Sequence, residues 1–182
     1  MIIGITGTNS SGKETIAKYL MKKGFVHYSL SDIIREEAAT RNLPKERNTL
    51  IELGNELRGK YGEGILSARV LRKIKKGNVK NAVVTSIRSP GEIKELKKYS
   101  YFYLLGVDAP AEVRFKRAMA RGRIENVSTL QKFIKMEERE RTTEKNKQQL
   151  TVCLGMADKV IMNSSTIKDL YEKVDNILEI LY

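Results

Sequence analysis

The residues best equipped for chemistry come within the first fifteen. Gly7-Thr8-Asn9-Ser10-Ser11-Gly12-Lys13-Glu14-Thr15 sets two glycines around small polar residues and follows them with a lysine. Glycines let successive backbone N–H groups turn inward on an anion, and a lysine adds a mobile positive charge. Such a set grips phosphate. Gly7, Asn9, Ser10, Ser11, Gly12, Lys13, Glu14 and Thr15 are therefore candidate ligands of a polyphosphate, with Lys13 also a candidate for catalysis. Arginines are the second group of interest. Arg35 follows Asp32 by one helical turn, Arg88 stands just past an apolar run, and Arg114, Arg117 and Arg121 recur at i, i+3 and i+7. Phosphoryl transfer needs positive charge around the migrating group, an aligned acceptor and exclusion of water, with little covalent help. Three like charges on one helical face repel by roughly 0.2–0.5 kcal/mol per pair, so neighbouring carboxylates or a polyanion must offset them.

These residues need elements to position them. Residues 1–6 form a short Ile-rich run that reads as a buried strand, and residues 15–21 carry a helical pattern. The glycine turn thus joins strand to helix, which is the setting a P-loop requires. Lys22-Lys23-Gly24 stops that helix. A second strand is predicted over residues 25–29, and Ser31-Asp32 reads as the cap of the helix carrying Arg35. Helical patterns resume over residues 46–57 and 64–75, and a third strand over 81–85 leads to Arg88. Ser89-Pro90 opens a helix that runs to residue 98. A fourth strand over 101–107, taken as core, precedes the arginine-bearing helix. A last strand over 158–162 precedes a closing helix from 166 to about 181. Strands alternating with helices predict an α/β fold with a parallel sheet covered on both faces.

The chain reads as one domain with a core of residues 1–30, 77–121 and 156–182, a helical insertion over about 31–76 and a lid over about 122–145. Long intervals of this kind serve as binding subdomains or covers. Within the lid, the run Glu137-Glu138-Arg139-Glu140-Arg141 offers Arg139 or Arg141 for closure on phosphate. A single Cys excludes a disulfide framework, and both His27 and Cys153 read as packing residues. No run approaches a membrane span and no leader is recognisable before the first strand, so a cytoplasmic place and no membrane partner are expected. The net charge of +12 suits an RNA partner, or else a lysine-rich surface with arginines that bind a small phosphorylated ligand. The scatter of Lys73, Lys75, Lys76, Lys94, Lys97 and Lys98 along helices favours the second.

Gly12-Lys13-Glu14-Thr15, Asp32-x-x-Arg35, Ile87-Arg88 and Arg117-x-x-x-Arg121 together resemble the P-loop nucleoside and deoxynucleoside monophosphate kinases, over nearly the full chain. The resemblance implies a five-stranded parallel sheet in the order 2-3-1-4-5, with ATP and Mg²⁺ as cofactors. It further implies that Asp32, Arg35 and Arg88 bind the acceptor, that Lys13, Arg88, Arg117 and Arg121 serve catalysis, and that Thr15 holds metal weakly through water. The residue after Lys13 is Glu14, and Thr85-Ser86 stands where these kinases carry an acid after the third strand. Ala157-Asp158-Lys159-Val160-Ile161-Met162-Asn163 resembles the ending of dephospho-CoA kinases, which implies Asn163 near the adenine and Asp32 as a base for a hydroxyl acceptor. The stretch 87–92 together with 107–110 also resembles the kinase-like segment ahead of some deoxycytidylate deaminases. An ATPase of adenylate-kinase type acting in RNA or ribosome assembly, and a nucleotide-binding regulator without turnover, complete the alternatives.

Overall fold

Every residue of β1 (Ile2–Gly7) is buried, as a strand at the middle of a doubly covered sheet must be. A computed structural model describes residues 1–122, 128–140 and 149–182, apart from the side chains of residues 139 and 140. Around β1 lie β2 (Val26–Ser29), β3 (Ala82–Thr85), β4 (Phe102–Asp108) and β5 (Lys159–Met162), all parallel, in the order β2-β3-β1-β4-β5. The expected order is the observed one.

Successive strand residues face opposite sides of a sheet. Ile2, Val84 and Leu104 accordingly join one core cluster, and Ile3, Ile5, Val83 and Leu105 the other. The second cluster is completed by α1 (Lys13–Lys22) and α9 (Ile167–Leu181), which contribute Ile16, Leu20, Leu170 and Val174. The first is covered by α2 (Leu30–Thr40), α3 (Arg47–Tyr61), α4 (Ile65–Lys76) and α5 (Pro90–Leu96). Beyond β4 come α6 (Ala111–Ala120), α7 (Leu130–Glu140) and α8 (Leu150–Gly155).

Several expectations need correction. α2 begins at Leu30, so Ser31 and Asp32 sit inside its first turn, and Ser29 occupies the N-cap without a side-chain capping bond. The Ser29 hydroxyl is instead bonded to Ser86 Oγ, at 2.9 Å. α5 stops at Leu96 rather than residue 98. Tyr101 precedes β4 and is 73% exposed, so it is not core. His27 is also exposed and shares a 2.8 Å hydrogen bond between Nε2 and Thr85 Oγ1. Helix α8 was not expected at all. It packs Cys153, fully buried, into the first cluster.

Candidate active site

The loop between β1 and α1 holds conformations that only certain residues adopt. Gly7 has φ 142° and a Cβ there would stand 2.0 Å from the Val107 carbonyl oxygen. Gly12 has φ 108°, and a Cβ would meet Asn163 Nδ2 at 2.3 Å. Ser10, at φ 57°, turns the chain between them. Lys13 opens α1 and folds back, donating from Nζ to the carbonyls of Gly7 (2.8 Å) and Thr8 (2.5 Å). No side chain caps α1, whose N-cap is Gly12. Thr15 is half-buried in the first turn, whereas Glu14 is exposed and lies 4.0 Å from Lys18.

This cradle is braced from the end of β5 and from α6. Asn163, 5% exposed just past β5, donates from Nδ2 to the Ser11 carbonyl at 2.7 Å. Arg117 on α6 approaches the same carbonyl at 3.5 Å through Nη1, and Asn163 Oδ1 at 3.4 Å through Nη2. The Asn163 amide therefore braces the loop and Arg117 together. Burial first, and the charge of Arg121 second, pull the Arg117 pKa below its usual value. Its hydrogen bonds among the described residues go to uncharged oxygens, so an anion beside it would relieve an uncompensated charge.

The arginine stripe of α6 divides by environment. Arg114 is buried and bonded to Glu137 of α7 and to the Ala109 carbonyl (2.8 Å), with Asp108 3.7 Å away. Arg121 is exposed at the end of the helix. Arg114 is thus offset by carboxylates, and Arg117 is the member of the stripe beside the loop. Asp108, at the carboxyl end of β4, accepts the Thr8 hydroxyl at 2.6 Å. Sequence reasoning overlooked this acid because it sought one after β3. There Thr85 and Ser86 bond to His27 and Ser29 of β2. Arg141 lies outside the described residues, as does the Arg139 side chain.

A cavity of about 480 Å³ opens beside the loop, from Asn9 and Ser10 across to α2 and α3. Its charged lining is wholly basic among the described residues: Arg35, Lys45, Arg47, Arg58 and Arg88. Leu30, Ile34, Leu50 and Ile51 form an apolar wall, and Phe133 and Met136 of α7 close another side. Asp32 is not part of the lining. It is about half exposed and pairs with Arg35 at 2.7 Å, the i,i+3 ion pair that its spacing allows.

Arg58 and Glu92 were not anticipated. Glu92 is fully buried and Arg58 is 6% exposed. Glu92 Oε1 takes Nε (3.1 Å) and Nη2 (2.9 Å) of Arg58, and Oε2 takes the backbone N–H of Arg88 (2.8 Å) and Ser89 (3.1 Å). The last of these belongs to the capping box of α5, which the Ser89-Pro90 signal did announce. One carboxylate thereby fastens α3 to the turn that carries Arg88. Cys153 is no nucleophile here: burial first, and the charge of Glu92 second, push its thiol up to about 12.

Comparison with known proteins bears on the family and the fold. A family model described as an AAA domain matches residues 3–147. A UPF0200 protein of Pyrococcus abyssi is 30% identical, spanning 100% of this chain and 98% of its own. Another from Pyrococcus horikoshii is 29% identical over 98% and 96%. A Thermus thermophilus crystal structure superposes with TM-score 0.62 at 24% identity, covering 100% of this chain and 98% of that one. Shikimate kinase from Aquifex aeolicus superposes with TM-score 0.54 at 17% identity, covering 98% and 96%. The fold is that of the P-loop kinases, and the chain belongs to the UPF0200 proteins, within a P-loop NTPase-like AAA domain family.

Proposed function

We propose that the protein transfers the γ-phosphoryl group of ATP to the phosphate of a nucleoside or deoxynucleoside monophosphate. The observation that carries the reading is the cavity beside the glycine loop, whose charged side chains are all basic among the described residues. A phosphate acceptor is already ionised and calls for arginines, whereas a hydroxyl acceptor calls for a carboxylate base. Asp32, the candidate base, is exposed, paired with Arg35 and outside the cavity lining, which favours the phosphate.

In this reading the loop amides and Lys13 hold the triphosphate and Arg117 offsets charge at its end. Arg35 and Arg88 orient the acceptor, Arg121 adds charge from the end of α6, and the insertion over 31–76 forms the acceptor subdomain; the lid expected over 122–145 lies partly outside the described residues. Mg²⁺, when bound, would screen the phosphates. The described residues contain no cluster of three His, Cys, Asp or Glu side chains fit to hold a metal. A half-buried Thr15 hydroxyl acting through water suits an ion carried mainly by substrate phosphates. The test is ATP turnover with Mg²⁺ across the ribo- and deoxynucleoside monophosphates and dephospho-CoA. Turnover with one or a few monophosphates is expected. Turnover with dephospho-CoA alone, or with none of them, contradicts the assignment.

A further inference from the structure

The cavity has a basic lining, yet one of its arginines is held by a buried carboxylate that is not part of that lining. Arg58 spends Nε and Nη2 on Glu92, and Nη1 reaches only as far as Asn55 Oδ1, at 3.5 Å. Glu92 does not line the cavity and Arg58 does. A purely structural role is a weak reason to bury an ion pair, because apolar side chains of similar volume hold helices together at no desolvation cost. The second oxygen of Glu92 fixes the backbone of Arg88 and Ser89, so one carboxylate sets two arginines against the same cavity. A third observation concerns Gly54, inside α3 and in the cavity lining. A Cβ there would stand 3.3 Å from Arg58 Nη1 and 3.0 Å from Ile34 Cδ1. Glycine inside a helix is unfavourable, and here its lack of a side chain leaves the Nη1 edge approachable.

Resting on the reading of the cavity as an acceptor site, we infer that Arg58 and Arg88 form a two-guanidinium clamp for the acceptor's phosphate. Glu92 is the positioning residue that sets their spacing. Nε and Nη2 anchor Arg58 sideways, which presents the remaining N–H donors of the fork to a phosphate oxygen. The clamp recognises a phosphate monoester dianion and is indifferent to what the monoester carries.

The test keeps the two readings apart. The protein is saturated with a non-hydrolysable ATP analogue and titrated calorimetrically with inorganic phosphate, as wild type, Arg58→Lys and Glu92→Gln. Lysine keeps the charge but loses the fork, and glutamine keeps the shape but loses the anchoring charge. Both are expected to weaken phosphate binding about tenfold or more while analogue affinity is unchanged. Phosphate affinity equal to wild type in Arg58→Lys overturns the clamp, whatever happens to melting temperature. Should either variant fail to fold, a crystal of the unmutated protein soaked in phosphate decides. The anion is expected to touch both Arg58 and Arg88, and an anion in the cavity that leaves Arg58 untouched overturns the proposal. A wild type that ignores the ATP analogue instead sinks the kinase reading, and the same soaked crystal still reports on the clamp.

Discussion

At the scale of single residues, Lys13 and Arg88 bear the functional argument. Lys13→Ala removes the only side-chain cation that the loop itself supplies and is expected to abolish ATP turnover; retained turnover would end the assignment. Arg88→Ala is expected to lower kcat/KM for the acceptor by about two orders of magnitude, or about 2.7 kcal/mol of transition-state stabilisation. Unchanged kinetics would remove Arg88 from the site. Cys153 makes the opposite kind of prediction. With its thiol buried and pushed up to about 12, it should resist alkylation in the native protein and react only on unfolding. The glycine loop and Arg88 were legible because their meaning is local: a motif between strand and helix, and an arginine at a strand end. The partnership of Arg58 with Glu92 was not. It spans 34 residues and joins two helices, and although Arg58 stands four residues after Gly54 on the buried side of α3, nothing along the chain names its partner.

Helices and strands carry the next set of consequences. Within α3, Gly54→Ala trades a helix-propensity gain of about 1 kcal/mol against a methyl that crowds Ile34 and Arg58. The expected outcome is a melting temperature close to wild type with weaker acceptor binding; tighter binding would contradict the place of Gly54 in the cavity lining. The helices also set an acid limit. Arg69, followed by Arg41 beyond the opposing effect of burial, holds the Glu37 carboxyl below its usual 4.5, linking α2 to α4. Lys23 and then Tyr19 hold Asp175 low in the same way, linking α1 to α9. A carboxylate depressed in the folded state stabilises it fully above its unfolded pKa, and that contribution is lost as pH falls through the folded value. Melting temperature should therefore fall as pH drops below about 4.5, and Glu37→Gln should flatten the slope. Strands were legible because alternate residues of short Ile- and Val-rich runs feed two cores. Helix α8 escaped because six residues are too few to show a helical period, so only its tertiary packing reveals it.

Over the whole molecule, the sheet order places the glycine loop of β1 between the ends of β3 and β4, where Arg88 and Asp108 emerge. Topology thereby gathers at the carboxyl ends of the inner strands residues far apart in the chain. Alternation of strand and helix foretold the parallel sheet, and the resemblance to the monophosphate kinases its strand order, but neither told which side chains would be spent on bracing the loop. The charge of +12 permits a nucleic-acid reading with a clear signature, affinity for RNA that falls steeply with salt. Absence of salt-sensitive RNA binding would leave the cationic cavity as the functional concentration of charge. The most direct measurement follows the fate of the γ-phosphoryl group, using ATP labelled at that position with Mg²⁺ and a mixture of nucleoside monophosphates. The account predicts that the label appears on the β-position of a nucleoside diphosphate, and that Arg88→Ala suppresses this transfer. Label released solely as inorganic phosphate, with no labelled diphosphate at any acceptor concentration, would contradict it.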